Sequence, residues 1–309
     1  MPSVICIGSA LIDELYFCDE QVILGTSNPA NLSRNIGGVL TNVAFHLAYL
    51  DIDVEYITVL GEDAEGKWVK DELKKAGIKI ENIASVNDPT GKYVSFLNAD
   101  GSLHAAACVD VCEKHLTPLF LEEKAVHLLA ADIIVTDTNI SIESIKWLID
   151  FSTTHNKILI IEPVSVVKSR KLATLDIKNV FMITPNEHEL FSISPNSNTK
   201  ESDVIESLLS RGVKNIWLRK GVLGSVRYNN ENQLSLGVEK ISIVDSTGAG
   251  DAALAGWLTG YINNYTELTC LQLGHTLAFE VLQIKGAVKH DITLSSLLES
   301  RNKYYNDAK

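Results

Sequence analysis

The sequence is most informative at residues 244–253, which read Val-Asp-Ser-Thr-Gly-Ala-Gly-Asp-Ala-Ala. The glycines permit a tight turn and a close approach of the backbone to a ligand. The alanine-rich run after them predicts a helix, so the N–H groups of Gly248, Ala249 and Gly250 would form an anion site at its N-terminus. Asp251 would lie beside that anion, where a carboxylate is electrostatically costly. A base that takes a proton from an attacking hydroxyl explains this acid better than a helix cap does.

Short apolar runs alternate with amphipathic stretches through most of the chain. Buried strands are predicted at 4–7, 55–60, 133–136, 158–161, 180–183 and 216–218. Helices are predicted at 41–50, 63–76, 142–155 and 200–211. This alternation predicts a doubly wound α/β fold, in which a mostly parallel sheet carries helices on both faces. Ligands of such folds bind beyond the carboxyl ends of the strands, and the glycine-rich stretch at 244–253 falls at that edge.

Two segments, 14–36 and 90–109, break this alternation. They contain strand-like runs at 14–17, 21–24, 92–97 and 102–108. Asp100-Gly101, between the last two runs, is a strong hairpin signal. Together the segments predict a small β-sheet that covers the active site as a lid.

Composition restricts the partners and the location of the protein. The net charge of −12 and the pI near 5.1 argue against nucleic acid as the main partner. No apolar run approaches about 18 residues, so no membrane span is expected. Residues 1–8 lack a basic region followed by a long apolar run, which makes a signal peptide unexpected. The five scattered cysteines favour a reducing compartment, the cytoplasm.

Residues 245–251 resemble the DTxGAGD signature of the ribokinase-like (PfkB) family of carbohydrate and nucleoside kinases. Three further stretches resemble motifs of the same family: 7–13, 37–42 and 184–189. The resemblance extends over nearly the whole chain. It implies a single kinase domain over 1–309, with lid insertions at about 14–36 and 90–109. It also implies an ATP-dependent phosphotransferase that acts on an alcohol group.

The resemblance assigns roles to residues on the acceptor side. Asp13 would accept hydrogen bonds from two sugar hydroxyls, because a carboxylate offers several lone pairs and no donor. Gly37 and Gly38 would let the backbone approach the sugar, and Asn42 would contact it. Asp251 would be the base, and the N–H groups of residues 248–250 would stabilise the charge that develops in transfer.

The resemblance also places a nucleotide site. Asn186 and Glu189 would order Mg²⁺ and phosphates through water, although Pro185 followed by acids also predicts an ordinary helix start. The residues expected beside ATP are Asn186, Lys220, Gly221, Gly224, Thr247, Gly248, Gly250 and Gly286. Asp245, with the Gly286 loop, would hold a monovalent cation such as K⁺.

Three segments suggest which acceptor is used. Ser27-Asn28-Pro29, 137–141 and 161–165 resemble runs in family members that phosphorylate pseudouridine. Ser27, Asn28 and Asn139 would then supply amide and hydroxyl groups to a uracil edge, a kind of site that rejects analogues lacking those groups. The same dipeptides are also frequent turn formers.

Two departures leave other acceptors open. Glu162 stands where Asp is usual, and Asn35-Ile36 stands where Thr-Pro is usual. A ribokinase- or fructokinase-like sugar kinase and an adenosine or inosine kinase are the alternatives. A catalytically silent sugar- or nucleotide-binding regulator is a further class, although it would not need Asp251. A NAD-dependent dehydrogenase is excluded because residues 8–11 lack the glycine spacing. Family resemblance suggests a homodimer through the lids.

Overall fold

A computed structural model describes residues 3–194 and 200–305 of the chain. The described strands are β1 Val4–Ile7, β2 Leu11–Cys18, β3 Ala30–Gly37, β4 Val54–Ile57, β5 Val59–Gly61, β6 Ala84–Val86, β7 Lys92–Leu97, β8 Leu103–Val109, β9 Ile133–Asp137, β10 Ile158–Glu162, β11 Met182–Ile183, β12 Asn215–Arg219, β13 Ser225–Tyr228 and β14 Gln233–Leu236. The described helices are α1 Val39–Tyr49, α2 Ala64–Lys75, α3 Cys112–His115, α4 Pro118–Glu123, α5 Ala125–Ala130, α6 Ile142–Thr154, α7 Val166–Ser169, α8 Glu187–Ile193, α9 Glu201–Ser210, α10 Ala249–Ile262, α11 Glu267–Leu282 and α12 Leu294–Tyr304. None of these helices has the length and apolar content needed to cross a bilayer.

The main sheet has eight strands in the order β14-β13-β12-β11-β10-β9-β1-β4. Every pairing from β12 to β4 is parallel, and only β13 and β14 are added antiparallel at one edge. The predicted mostly parallel sheet is therefore confirmed. The run predicted as one strand at 55–60 is two strands, because the chain leaves the main sheet at Thr58 and β5 pairs with β6 instead.

The sheet is buried on both faces, and β1 shows why. Val4 and Cys6 belong to one apolar cluster, whereas Ile5 and Ile7 belong to the other. Successive side chains of a strand point to opposite faces, so an unbroken apolar run supplies both cores. Helices α1, α10 and α11 contribute to the first cluster, and α6, α8 and α9 contribute to the second.

A second sheet of four strands, in the order β3-β2-β7-β8, is formed by the two segments that break the alternation. We call it the lid sheet. The Asp100-Gly101 hairpin between β7 and β8 is present, and Gly101 has a positive φ of 81°. The strand predicted at 21–24 is wrong. That stretch is a loop, since the side chain of Asn28 binds the backbone N–H and carbonyl of Ile23, and the strand paired with β2 lies at Ala30–Gly37.

Candidate active site

Charged side chains meet where the parallel strands end. Asp137 is the last residue of β9, Glu162 the last of β10 and Arg219 the last of β12. Asp251 lies in the first turn of α10, close enough for its charge to interact with all three. The carboxyl edge of the sheet therefore assembles the site, as the alternation of strands and helices predicts.

The start of α10 has the geometry of an anion site. Gly248 precedes the helix with a φ of +75°, and a Cβ there would lie 2.5 Å from Ala287. Both the left-handed backbone and the close contact require glycine. No side chain caps this helix. The N–H of Ala249 makes a long hydrogen bond to the carbonyl of Ser246 at 3.4 Å, whereas the N–H groups of Gly248 and Gly250 donate to no protein group within the described residues and are available to a ligand.

Asp245 shapes the loop before α10. Its Oδ1 accepts hydrogen bonds from the backbone N–H and the hydroxyl of Thr247, at 2.9 and 2.7 Å, and its Oδ2 accepts one from the N–H of Gly286 at 3.0 Å. Partial burial acts to raise the pKa of this carboxyl, but these hydrogen bonds hold it below its ordinary value. Thr247 and Gly286, both expected at the nucleotide site, are therefore joined through one ionised side chain.

Asp251 is paired with Asn42, 209 residues earlier in the chain. Nδ2 of Asn42 donates to Oδ2 of Asp251 at 2.8 Å. Burial raises the pKa of Asp251 to about 8, and nearby Glu162 and Asp137 add to the rise. Oδ1 of Asn42 is buried and has no hydrogen-bond partner within the described residues, so it can accept from an incoming hydroxyl.

Asp13 and the paired glycines are also brought together. A Cβ on Gly37 would lie 2.4 Å from the Asp13 carboxylate, so glycine is what allows this acid to pack against β3. Gly38 has a φ of +109°, and a Cβ there would lie 2.1 Å from the carbonyl oxygen of Ser9. Burial raises the pKa of Asp13 to about 6.

Asn186 and Glu189 form a capping box at the start of α8. Oδ1 of Asn186 accepts from the N–H of Glu189, and Oε2 of Glu189 accepts from the N–H of Asn186, both at 2.9 Å. The predicted helix start is thus confirmed. Burial raises the pKa of Glu189. No group of three or more His, Cys, Asp or Glu residues within the described ranges is arranged to hold a metal ion directly.

The Lys220–Gly224 segment forms a tight turn between β12 and β13. Gly221 and Gly224 have φ of +52° and +89°, and the N–H of Lys220 donates to the carbonyl of Gly224 at 2.8 Å. The ammonium of Lys220, expected beside ATP, instead pairs with Glu201 at 2.8 Å.

Ser27 and Asn28 lie in the loop between β2 and β3. Ser27 is exposed. The side chain of Asn28 makes hydrogen bonds to Ile23 and Thr26 within the same loop. No hydrogen bond joins either residue to Asp13, Asn42 or Asp251 within the described part of the chain.

The side-chain amide of Asn139 is bound to two neighbouring protein groups. Its Nδ2 donates to Oδ2 of Asp137 at 2.8 Å, and its Oδ1 accepts from the ammonium of Lys168. Burial raises the pKa of Asp137 to about 7. The sequence alone predicts no role for Asp137, Lys168 or Arg219. Asp137 and Arg219 nevertheless carry a signal, because each is a charged residue at the end of an otherwise apolar buried strand, which is costly without a function or a partner.

Exposed apolar side chains flank the loops that are expected to bind a nucleotide. Val222 and Leu223 are 80% and 71% exposed, and Ile243 and Val244 are 55% and 64% exposed. They precede or lie within the loops that carry Gly224 and Gly248. Apolar side chains left exposed beside polar backbone loops are typical of a ligand site.

Known proteins resemble this chain over nearly its full length. The sequence profile described as pfkB family carbohydrate kinase matches residues 1–293. The chain is 27% identical to the pseudouridine kinase of Escherichia coli (strain K12), with 96% of this chain and 95% of that protein covered. It is 24% identical to the guanosine-inosine kinase of Exiguobacterium acetylicum, with 91% and 95% covered. The structure of Arabidopsis thaliana ribokinase complexed with ribose and ATP superimposes with a TM-score of 0.87 at 22% identity, covering 97% of this chain and 98% of that one, which shows the shared fold.

Proposed function

Because the chain belongs to the pfkB family of carbohydrate kinases, we propose that it transfers the γ-phosphoryl group of ATP to the 5′-hydroxyl of a nucleoside, with pseudouridine as the acceptor. The broader activity follows from the family: the chain is a phosphotransferase that acts on a hydroxyl group of a sugar or a nucleoside. The identity of the acceptor and the roles of individual residues are the proposal.

One observation carries this function: the pair of Asn42 and Asp251 lies at the uncapped N-terminus of α10. The proposed base and the N–H groups then lie within one turn of α10, and an amide that can bind a hydroxyl reaches the base from α1. A binding protein without chemistry has no need for a buried acid whose pKa is raised to about 8. A general base works best when its pKa lies near the operating pH.

The proposed reaction is an in-line displacement. The acceptor hydroxyl gives its proton to Asp251 while its oxygen forms the new bond to the γ-phosphorus, and the bond from that phosphorus to the bridging oxygen of ADP breaks. The N–H groups of residues 248–250 stabilise the charge on the transferred group. Asn42 holds the carboxylate of Asp251 through Nδ2, which fixes the direction from which the proton is taken.

The nucleotide side fits a bound ATP. The exposed apolar residues Val222, Leu223, Ile243 and Val244 would pack against the base, as in other ligand sites. Asn186 and Glu189 would hold Mg²⁺ through its waters, and the ion would neutralise phosphate charge. That Asp245 binds K⁺ stays a prediction. Both of its carboxylate oxygens already accept hydrogen bonds from the protein, so they would have to bind the ion in addition to these donors.

The acceptor side favours a neutral substrate. Burial raises the pKa of Asp13 to about 6 and that of Asp137 to about 7. The surroundings of these carboxyl groups therefore disfavour negative charge, and a phosphate group on the acceptor would add more of it. Carboxyl groups accept hydrogen bonds from sugar hydroxyls but repel phosphate. We therefore expect a free sugar or a nucleoside, and not a sugar phosphate, as the acceptor.

Two observations support pseudouridine in particular. The pseudouridine kinase of Escherichia coli (strain K12) is similar over 302 residues. Lys168, which Asn139 holds in place, adds an ammonium donor beside Asp137 that suits a uracil carbonyl. In this proposal Asn139 acts on the uracil ring through Lys168. Ser27 and Asn28 supply a hydroxyl and an amide group to the uracil edge from the loop between β2 and β3.

The proposed homodimer would form through the lid sheet. Strand β8 is exposed along its whole length, including the apolar side chains of Leu103 and Val109. An exposed edge strand of this kind readily pairs with a second copy.

The deciding experiment measures ADP formation with Mg²⁺ and ATP across pseudouridine, uridine, adenosine, ribose, fructose and fructose 6-phosphate. We expect turnover mainly with pseudouridine and none with the sugar phosphate. Asp251→Asn is the control for contaminating kinases. A preference for ribose or another nucleoside would keep the kinase and discard pseudouridine, and an absence of turnover with every acceptor would contradict the proposed function.

A further inference from the structure

Arg219 joins three parts of the site through one side chain. Its Nη1 donates to the carbonyl of Gly250 at 3.0 Å, and its Nη2 donates to Oε1 of Glu162 at 2.6 Å. Nη2 also donates to the carbonyl of Thr184. The side chain of Arg219 is 16% exposed. It therefore connects the end of β10, the segment after β11 and the first turn of α10.

The glycine at position 250 is explained by this contact. Gly250 lies in the helix and has no positive φ, so backbone freedom is not the reason for a glycine here. A Cβ on Gly250 would lie 2.8 Å from Nη1 of Arg219. Any side chain at this position would push the guanidinium away from the turn that carries Asp251.

The same guanidinium is surrounded by acids. Its charge interacts with Glu162, Glu189 and Asp251, which come from three different elements. Oε2 of Glu162 accepts from the hydroxyl of Thr184 at 2.5 Å, so the carboxylate is held on both sides. A planar guanidinium can bind a carboxylate and two carbonyls at once, whereas a lysine ammonium lacks that fixed fork.

We infer that Arg219 is a positioning residue for phosphoryl transfer, because its guanidinium fixes the first turn of α10 against the end of β10. It thereby sets where the N–H groups of residues 248–250 and the carboxylate of Asp251 lie. The inference rests on the proposed function. Removing one partner of a buried ion pair leaves the other charge uncompensated, so loss of Arg219 also frees Glu162 to repel Asp251.

Arg219 has a second effect, on the proton affinity of the base. The charged and titratable groups that face Asp251 are Glu162, Asp137 and Arg219, together with the amide of Asn42. Burial raises the pKa of Asp251 most, and the two acids raise it further, whereas Asn42 and Arg219 lower it. Loss of Arg219 therefore moves the proton uptake of Asp251 to higher pH.

The test compares Arg219→Met, Arg219→Lys and Glu162→Gln with Arg227→Met. Arg227 is a matched control, since its side chain is 3% exposed and pairs with Glu267 of α11, and it lies on the neighbouring strand β13 opposite Trp217. We expect Arg219→Met to lower kcat by about 100-fold, the effect of a displacement of about 1 Å, with the KM for the acceptor changed by no more than about threefold. The acid limb of the pH profile of kcat/KM should move to higher pH in Arg219→Met. In Arg219→Lys, which keeps the positive charge, that limb should stay in place although kcat falls.

Wild-type kcat and an unmoved acid limb in Arg219→Met would overturn the inference, as would equal effects in Arg227→Met. If Arg219→Met does not fold, a wild-type kcat in Arg219→Lys and Glu162→Gln overturns it in the same way. If the wild type turns over no acceptor, the proposed function fails. The titration of the Asp251 carboxyl, followed by ¹³C NMR and assigned with Asp251→Asn, then decides. Relative to Arg227→Met, an upward shift in Arg219→Met and a downward shift in Glu162→Gln support the role of the pair, and no shift in either variant rejects it.

Discussion

The two ends of the site are built differently. At the end that we propose for phosphoryl transfer, Gly248 packs closely against Ala287, Gly250 accepts a hydrogen bond from Arg219, and Asp251 accepts one from Asn42. At the acceptor end, Ser27 and Asn28 lie in a loop on the lid sheet, and the hydrogen bonds of Asn28 remain within that loop. The first end is thus joined to several elements of the main domain, whereas the loop at the second end is held by its own hydrogen bonds. This contrast explains why short motifs indicate the reaction more clearly than they indicate the acceptor.

The largest effect is expected at Asp251. Asp251→Asn keeps the shape of the side chain but removes the base, so kcat should fall by about 10³-fold or more, in the range that general-base catalysis supplies. Steady-state kinetics with the best acceptor measure it. Asp150→Asn, which changes an exposed acid on α6, is the control and should keep wild-type kcat. If Asp251→Asn keeps more than about a tenth of wild-type kcat, Asp251 is not the general base.

The same substitution should stabilise the fold. Burial raises the pKa of Asp251 to about 8 from an ordinary value of 3.8, so between these pH values the native state holds a proton that the unfolded chain has lost. Because the native state binds more protons, stability contributed by this group falls as pH rises through that window. Asp251→Asn should therefore raise the free energy of unfolding at pH 8 by several kcal/mol, and by more than it does at pH 5. Denaturant titrations of both proteins at pH 5 and pH 8 test this. A difference in the free energy of unfolding between variant and wild type that is larger at pH 5 than at pH 8 would contradict it.

A smaller but still large effect is expected at Gly248. Gly248→Ala imposes a side chain at a φ of +75° and within 2.5 Å of Ala287, so the turn must shift. We expect kcat to fall by about 100-fold because the N–H groups move. Gly77→Ala is the matched control, since Gly77 has a φ of +85° and no atom within 4 Å of an added Cβ. Both variants should lose about 1 kcal/mol of stability to strain, but only the first should lose kcat. Equal kinetics in the two variants would show that the position of this turn is unimportant.

The sequence predicts the fold better than it predicts the side-chain contacts of the site. The main sheet and the lid hairpin at Asp100-Gly101 follow from apolar alternation and turn chemistry, and both are confirmed. The strand expected at 21–24 is wrong. The apolar residues there are typical of a strand, but the side chain of Asn28 binds the backbone of Ile23 and holds this stretch as a loop. Arg219 could not be assigned a role from the sequence, because its partners come from positions 31 to 57 residues away and are brought together only by folding.

A moderate effect is expected at Lys168, and it would sharpen the acceptor end. If its ammonium binds a carbonyl of the base, Lys168→Met should lower kcat/KM for pseudouridine by about 10-fold or more, the loss of one hydrogen bond to a charged group. The value for ribose, which has no base, should change little. Lys171→Met is the control on the neighbouring turn, since Lys171 pairs with Glu113 and the carbonyl of Ile140. Equal losses with both acceptors would mean that Lys168 supports the pocket only through Asn139.

The smallest effect is expected where the two ends touch. Nζ of Lys285, next to the loop that carries Gly286, lies 5.0 Å from the ring centre of Phe17 on the lid sheet. Phe17 lies four residues after Asp13 in β2, so both side chains face the same side of that sheet. A partly exposed cation–π contact contributes about 0.5–1 kcal/mol, so Phe17→Leu should raise the KM for the acceptor by about two- to fivefold at unchanged kcat. Phe96→Leu, on the opposite face of the lid sheet, should leave the KM unchanged. A large loss of kcat in Phe17→Leu would mean that the lid sheet fixes the phosphoryl-transfer end as tightly as Arg219 does, and the contrast between the two ends would disappear.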